Sequence, residues 1–275
     1  MSSETGAETG GTEQPAGTSV KRVVVTGAGG GIGAALARRF AADGAKVVVN
    51  DLNAEAARAV ADDIGGIAVP GDAAREEDVQ HLVDTAWTEL GGIDLFCSNA
   101  GVLSAGDETT PDGQWQRDFG VNVMSHVYVS RALLPRWLDS GEPKRLLITV
   151  SAAGLLTLLG SATYSVTKHA ALAYAEWLRA TYAHRGLIVQ ALCPQGVRTD
   201  MLTRGNDRGS GAASLLAEGA LPPESVADLV AASLDGTGFL ILPHPEVEDY
   251  YRLRAGDPDR WLGGMNKLQR GFESK

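Results

Sequence analysis

The chain has 275 residues, 44% of them hydrophobic and 21% charged, the balance of a globule with a sizeable core. Lys and Arg total 24 against 34 Asp and Glu, a formal charge of -10. With no basic cluster to offset it, such a chain repels phosphodiester backbones and anionic lipid, so neither nucleic acid nor a membrane is expected as partner. No run reaches the roughly 18 apolar residues of a spanning helix. The N-terminus has no basic region followed by an apolar one, so no secretory signal is expected and a cytoplasmic location is.

Residues 1–19 are Gly, Thr, Ser and Glu with almost nothing to bury, and a disordered tail is expected there. Short β-branched runs then alternate with longer helical patterns. Arg22 to Val25 is the first strand, Gly31 to Asp43 the first helix, and Lys46 to Val49 the second strand. A helix from Glu55 to Asp63, a strand at Ile67 to Val69, a helix from Glu76 to Leu90 and a strand from Ile93 to Cys97 follow. The spacing next predicts one long helix over Asp112 to Leu138, bent near Pro135. A strand from Arg145 to Val150, an Ala-rich helix from Tyr164 to Arg185 and a strand from Leu187 to Leu192 come after it. The pattern closes with a helix from Pro223 to Leu234 and a strand from Phe239 to Leu242.

Strands that are apolar at every position are buried on both faces. Their alternation with helices at this spacing implies right-handed crossovers and a parallel sheet. The expected fold is one doubly wound α/β domain over residues 20–245, with about seven parallel strands and helices on both faces. Residues 203–221, rich in Gly and Ser, are expected to form a mobile flap over a site, and residues 246–275 a charged, aromatic extension. Cys97 and Cys193 stand alone in apolar strand runs, which suits reduced core thiols. The five histidines are scattered at no metal-ligand spacing, so no metal is assigned.

Thr26-Gly27-Ala28-Gly29-Gly30-Gly31-Ile32-Gly33 joins the first strand to the first helix. Glycines there let the backbone turn sharply and approach a pyrophosphate, and the helix N-terminus offers free N–H groups to it. Asp51 follows the second strand, where a carboxylate can accept from both adenosine ribose hydroxyls and repel a 2′-phosphate. No Lys or Arg stands in the glycine loop or directly after Asp51. NAD is therefore expected over NADP, and Asn53 is free to cap the next helix. Tyr164 and Lys168 are at i and i+4, on one helical face. A phenol is a poor base at neutral pH, and an adjacent ammonium favours its phenolate. Ser151 ends the fifth strand, Asn99-Ala100-Gly101 ends the fourth, and Asn122 lies inside the long helix.

In these motifs, over about Lys21 to Leu242, the sequence resembles the short-chain dehydrogenase/reductases, single-domain Rossmann-type enzymes. The resemblance rests on Thr26-Gly27-x-x-x-Gly31-x-Gly33, Asp72, Asn99-Ala100-Gly101, Asn122, Ser151, Tyr164-x-x-x-Lys168 and Pro194 with Thr199. It implies that Tyr164 is the general acid/base, that Lys168 lowers its pKa and holds the nicotinamide ribose, and that Ser151 bonds the substrate oxygen. It further implies that Asn122 holds a water in a proton relay behind Lys168, that Asp72 and Ala73 contact the adenine, and that Thr199 binds the carboxamide. The cofactor site is expected from Gly27, Gly30, Gly31, Ile32, Gly33, Asp51, Leu52, Asn99, Ala100, Gly101, Pro194, Gly196 and Val197, together with these residues.

Three positions depart from the family pattern. Ser98 precedes Asn99 where a second Asn is usual. Gln195 follows Pro194, with Gly196 one place later, which would reshape the nicotinamide side of the pocket. Leu242-Pro243-His244-Pro245 stands where Asp-Gly-Gly is frequent, which puts the usual tetramer contacts in doubt; a homodimer through the two long helices is expected, with a homotetramer as the other option. The uncharged stretch after Ser151, with Leu155 and Leu156, and the flap residues Met201 and Leu202 suit a hydrophobic secondary alcohol or ketone. Equally, these leucines could pack a core or an oligomer interface. An NADPH-dependent carbonyl reductase and a non-catalytic NAD-binding protein of the same fold are the alternatives.

Overall fold

The computed structural model describes residues 20–274 except 139, 207–215 and 218. The expected tail and much of the expected flap lie outside the described residues. In chain order the elements begin with β1 (Arg22–Val25), α1 (Gly31–Ala42), β2 (Lys46–Val49), α2 (Ala54–Ile64), β3 (Ile67–Ala68), α3 (Glu76–Leu90) and β4 (Leu95–Ser98). They continue with α4 (Asp112–Phe119), α5 (Ser125–Trp137), β5 (Lys144–Thr149), α6 (Ala152–Leu155), α7 (Ala162–Tyr182) and β6 (Leu187–Leu192). The last are α8 (Asp200–Asn206), α9 (Pro223–Ser233), β7 (Leu240–Ile241), α10 (Glu246–Gly256) and α11 (Pro258–Glu273).

The strands form one parallel sheet of seven in the order β3-β2-β1-β4-β5-β6-β7. Side chains alternate across a strand, so Val23, Val25, Leu95, Cys97 and Leu147 join α1, α2 and α9 in one core layer. Val24, Phe96, Leu146 and Ile148 join α3, α5 and α7 in the other. This is why each strand is apolar at every position. Each large side chain so buried contributes about 1.5–3 kcal/mol, which makes the two layers the main stabilising feature.

Two expectations change. The expected long helix is not α-helical throughout: a π-helical turn, Gly120–Met124, separates α4 from α5, and Pro135 sits within α5. Such wide turns re-aim side chains and often mark functional sites. Here the turn holds the fully buried Asn122 against the loop after β4, where it accepts from Val102 N–H at 2.8 Å. The charged extension folds as α10 and α11. Val247 is fully buried, and Tyr251 and Trp261 pack on the layer that includes α3. Arg254 of α10 donates to the carbonyl of Leu155 in α6. Among the described residues no helix is long and apolar enough to cross a membrane.

Candidate active site

The pairing registers bring the carboxyl ends of four strands together. Val25 is opposite Cys97, Ser98 opposite Ile148, and Thr149 opposite Leu192. The chain leaves β1 toward β2 and β4 toward β5, so the crevice between β1 and β4 is the switch point where such sheets take ligands. Asn99 ties the edge together. Its Nδ2 donates to the carbonyls of Thr26 and Gly27 at 3.0 and 3.3 Å, and its Oδ1 accepts from Thr149 Oγ1 at 3.0 Å. Thr26 Oγ1 in turn accepts from the N–H groups of Asn99 and Ala100.

A cavity of about 630 Å³ opens over this edge. At one end the glycine loop turns into α1. No side chain caps α1, and its first turn carries no acid, so its N–H groups are free to meet phosphate oxygens. Asp51 also lines the cavity; it accepts from Gly29 N–H and from Asn53 N–H, each at 2.9 Å. The capping of α2 falls to Asn53, which accepts from the N–H groups of Glu55 and Ala56. A glycine cradle, an uncapped helix N-terminus and a carboxylate after β2 fit a dinucleotide.

At the other end Ser151, Tyr164 and Lys168 converge. Ser151 Oγ caps α6 by accepting from Ala153 N–H at 3.1 Å. Lys168 is 2% exposed, and its Nζ donates to the Thr149 carbonyl at 2.9 Å. It lies 5.6 Å from the centroid of the Tyr164 ring. Burial pulls Lys168 down to about 8. Burial pushes the Tyr164 phenol up from its ordinary value, and a hydrogen bond with Ser151 opposes the shift. Loss of hydration sets both directions, and the Lys168 ammonium, which gives one hydrogen to the Thr149 carbonyl, has two more to offer. No described histidine lines the cavity. His126 is buried against Ser98, and burial holds its imidazole down at about 3. The two thiols are free and buried, with Cys193 pushed up to about 12 by burial; neither is a nucleophile.

Of the residues singled out from the sequence, all line this cavity except Leu52, Asp72, Ala73, Asn122, Leu155 and Gly196. Leu52 is 74% exposed to solvent. Asp72 is engaged locally, its carboxylate accepting from Ala74 N–H, and Ala73 is buried beside it. Leu155 belongs to the core with Ile148 and Val150. Asn122 lies behind the cavity: its Nδ2 donates to Val102 O and Thr167 Oγ1, each at 3.0 Å. A methyl added at Gly101 would sit 3.3 Å from Asn122 Oδ1 and 3.4 Å from Lys168 Nζ, so Asn122 and Lys168 flank the same glycine. Sequence reasoning missed Thr149 and Arg38. Thr149 carries both the Asn99 and the Lys168 bonds, and its place at the end of β5 was the available signal. Arg38 lines the cavity from α1 and pairs with Asp63 at 2.8 Å.

Sheet order, crossover and site define a Rossmann-type α/β protein with a nucleotide-binding edge. Residues 21–209 match the family model for short chain dehydrogenases, and the chain belongs to that family. It is 37% identical over 249 residues to 1-deoxy-11-beta-hydroxypentalenate dehydrogenase of Streptomyces exfoliatus, covering 88% of each chain. It is 34% identical over 198 residues to 2,5-dichloro-2,5-cyclohexadiene-1,4-diol dehydrogenase of Sphingobium indicum, covering 70% of this chain and 79% of that one. Among solved structures, a short chain dehydrogenase/reductase from Burkholderia phymatum in complex with NAD superposes with a TM-score of 0.81 at 28% identity. That likeness covers 88% of this chain and 95% of the other. The protein is thus an oxidoreductase of a family that works with a nicotinamide cofactor.

Proposed function

We propose that this chain is an NAD(H)-dependent dehydrogenase that interconverts a hydrophobic secondary alcohol and its ketone. The observation that carries the reading is the convergence of Ser151, Tyr164 and Lys168 at one end of a cavity whose other end is the glycine loop. The nicotinamide, when bound, takes or gives the hydride. Tyr164 Oη exchanges the proton with the substrate oxygen, and Ser151 Oγ holds that oxygen in place. Lys168 holds the ribose and feeds protons toward Tyr164. Asn122 orders a water behind Lys168, which the shared position beside Gly101 supports.

Asp51 supports NAD, since it stands against the glycine loop where a 2′-phosphate would meet its charge. Arg38, on the cavity wall and in an exposed ion pair with Asp63, is the group an NADPH reading would use. Asp51→Ala should therefore raise the use of NADPH relative to NADH by about tenfold or more, about 1.4 kcal/mol of removed repulsion. Unchanged discrimination would sink the cofactor assignment. The substrate reading draws on Ala152, Ala153, Leu156, Leu158, Met201 and Leu202, which line the cavity, and on relatives named for hydroxyl-bearing substrates. Exposed Phe119 on α4 and exposed Val166 and Trp177 on α7 support a homo-oligomer built on those helices. The buried, unpaired thiols suit a reducing cytoplasm. NADH formation by the full chain with NAD⁺ and a panel of hydrophobic secondary alcohols tests the whole. Turnover by the wild type that Tyr164→Phe lacks supports it; turnover surviving in that variant overturns the mechanism.

A further inference from the structure

Two of the departures from the family pattern meet in space. The Gln195 N–H donates to His244 Nδ1 at 3.1 Å, joining the turn after β6 to the segment after β7. His244 is 4% exposed. Accepting at Nδ1 fixes the neutral tautomer with its proton on Nε2, and Nε2 has no partner among the described residues. No described residue other than glycine has a positive φ, so the backbone at Gln195 accepts a side chain. The need for a glycine has moved to Gly196, where an added methyl would lie 1.9 Å from the Leu216 carbonyl. The preceding Pro194 carbonyl accepts from Ala152 N–H at 2.8 Å, which sets this turn directly beside Ser151.

Gln195 lines the cavity and is partly exposed to it. Its carboxamide makes no hydrogen bond to any described residue. The same cavity is lined by apolar Ala152, Ala153, Leu156, Met201 and Leu202, with the charged Arg198 and Asp200 also on its wall. A carboxamide both donates and accepts but carries no charge, so its complement is an uncharged oxygen. Resting on the dehydrogenase reading above, we propose that Gln195 is a specificity-determining residue that recognises a second, uncharged oxygen on the substrate, a hydroxyl or carbonyl elsewhere on an otherwise apolar skeleton. His244 is the positioning residue that holds its backbone. The preferred substrates are then diols or hydroxyketones, not simple secondary alcohols.

The test uses matched pairs: cyclohexanol with cyclohexanediol, and decalol with decalindiol. Wild type should favour the diol of each pair by about tenfold in kcat/KM, the value of one net hydrogen bond. Gln195→Met keeps the volume and removes the polar group. It should abolish that preference, read as the diol-to-mono-alcohol ratio of kcat/KM within each pair, and a thermal melt close to wild type shows that the variant folds. His244→Phe should erode the preference in the same selective way, and His244→Asn, which restores an acceptor, should recover it. A preference that survives Gln195→Met, or an equal loss on both members of a pair, overturns the assignment. Calorimetric titration of the same compounds into the protein–NADH complex needs no turnover. A diol advantage in binding that Gln195→Met removes, without oxidation of any compound, keeps the Gln195 assignment and overturns the dehydrogenase reading. Equal binding of diol and mono-alcohol to the wild type overturns the assignment itself.

Discussion

Tyr164→Phe is expected to lower kcat by about 100- to 10,000-fold, the range that a positioned general acid/base contributes, while leaving NADH binding and thermal stability close to wild type. Phenylalanine keeps the ring that packs beside Lys168 and removes only the hydroxyl. A thousandfold loss corresponds to about 4 kcal/mol of transition-state stabilisation. The pH profile gives a second reading of the same group. Oxidation of the alcohol needs the phenolate as base. Burial raises the Tyr164 pKa above its ordinary value, so at neutral pH the phenolate is the minor form. The oxidation rate should climb as pH rises through the alkaline range, whereas ketone reduction, which needs the phenol, should hold steady over the same range until the group ionises. A flat oxidation profile would mean that another group takes the proton.

Gly33→Ala should weaken NADH binding by about 30- to 100-fold, or about 2–3 kcal/mol. It should also cost about 1–3 kcal/mol of stability through overpacking. The added methyl would lie 2.1 Å from the Gly27 carbonyl oxygen and 2.7 Å from Asn99 Nδ2. One is backbone of the phosphate cradle, and the other is the side chain that pins the cradle to β4 and β5. Neither can withdraw without opening the switch-point crevice. Gly113→Ala on α4, where an added methyl meets nothing within 4 Å, serves as the control and should leave both quantities unchanged. Titration with NADH and a thermal melt measure the two effects separately. Normal NADH affinity in Gly33→Ala would remove the glycine loop from the cofactor site.

Much of this architecture was legible because the sheet is covered on both sides. A strand such as Val23 to Val25 must then be apolar throughout, and that signal is strong. The glycine loop and the Tyr164–Lys168 pair were legible for a different reason: each is a local pattern whose geometry follows from its spacing. What escaped were features set by distant partners. The π-helical turn at Asn122 depends on a bond to Val102, across a loop that periodicity does not see. Leu155 looked like a pocket residue because it follows Ser151 closely, but α6 directs it into the core. The C-terminal helices were masked by their charge: Val247 and Tyr251 sit one helical turn apart among acids and arginines, too sparse a stripe to read alone. Asp72 and Leu52 were placed in the cofactor site by family likeness alone; the carboxylate of Asp72 accepts from Ala74 N–H, and Leu52 is exposed.

The bond from Arg254 to the Leu155 carbonyl carries a consequence for how the site is made. Leu155 belongs to α6, the short helix that Ser151 caps, so one wall of the reacting centre leans on α10. Protein chains emerge from the ribosome N-terminus first. The sheet, the glycine loop and the Tyr164 helix are all synthesised before the segment that braces α6. The segment that braces the wall beside Ser151 is thus the last of the site's supports to be synthesised.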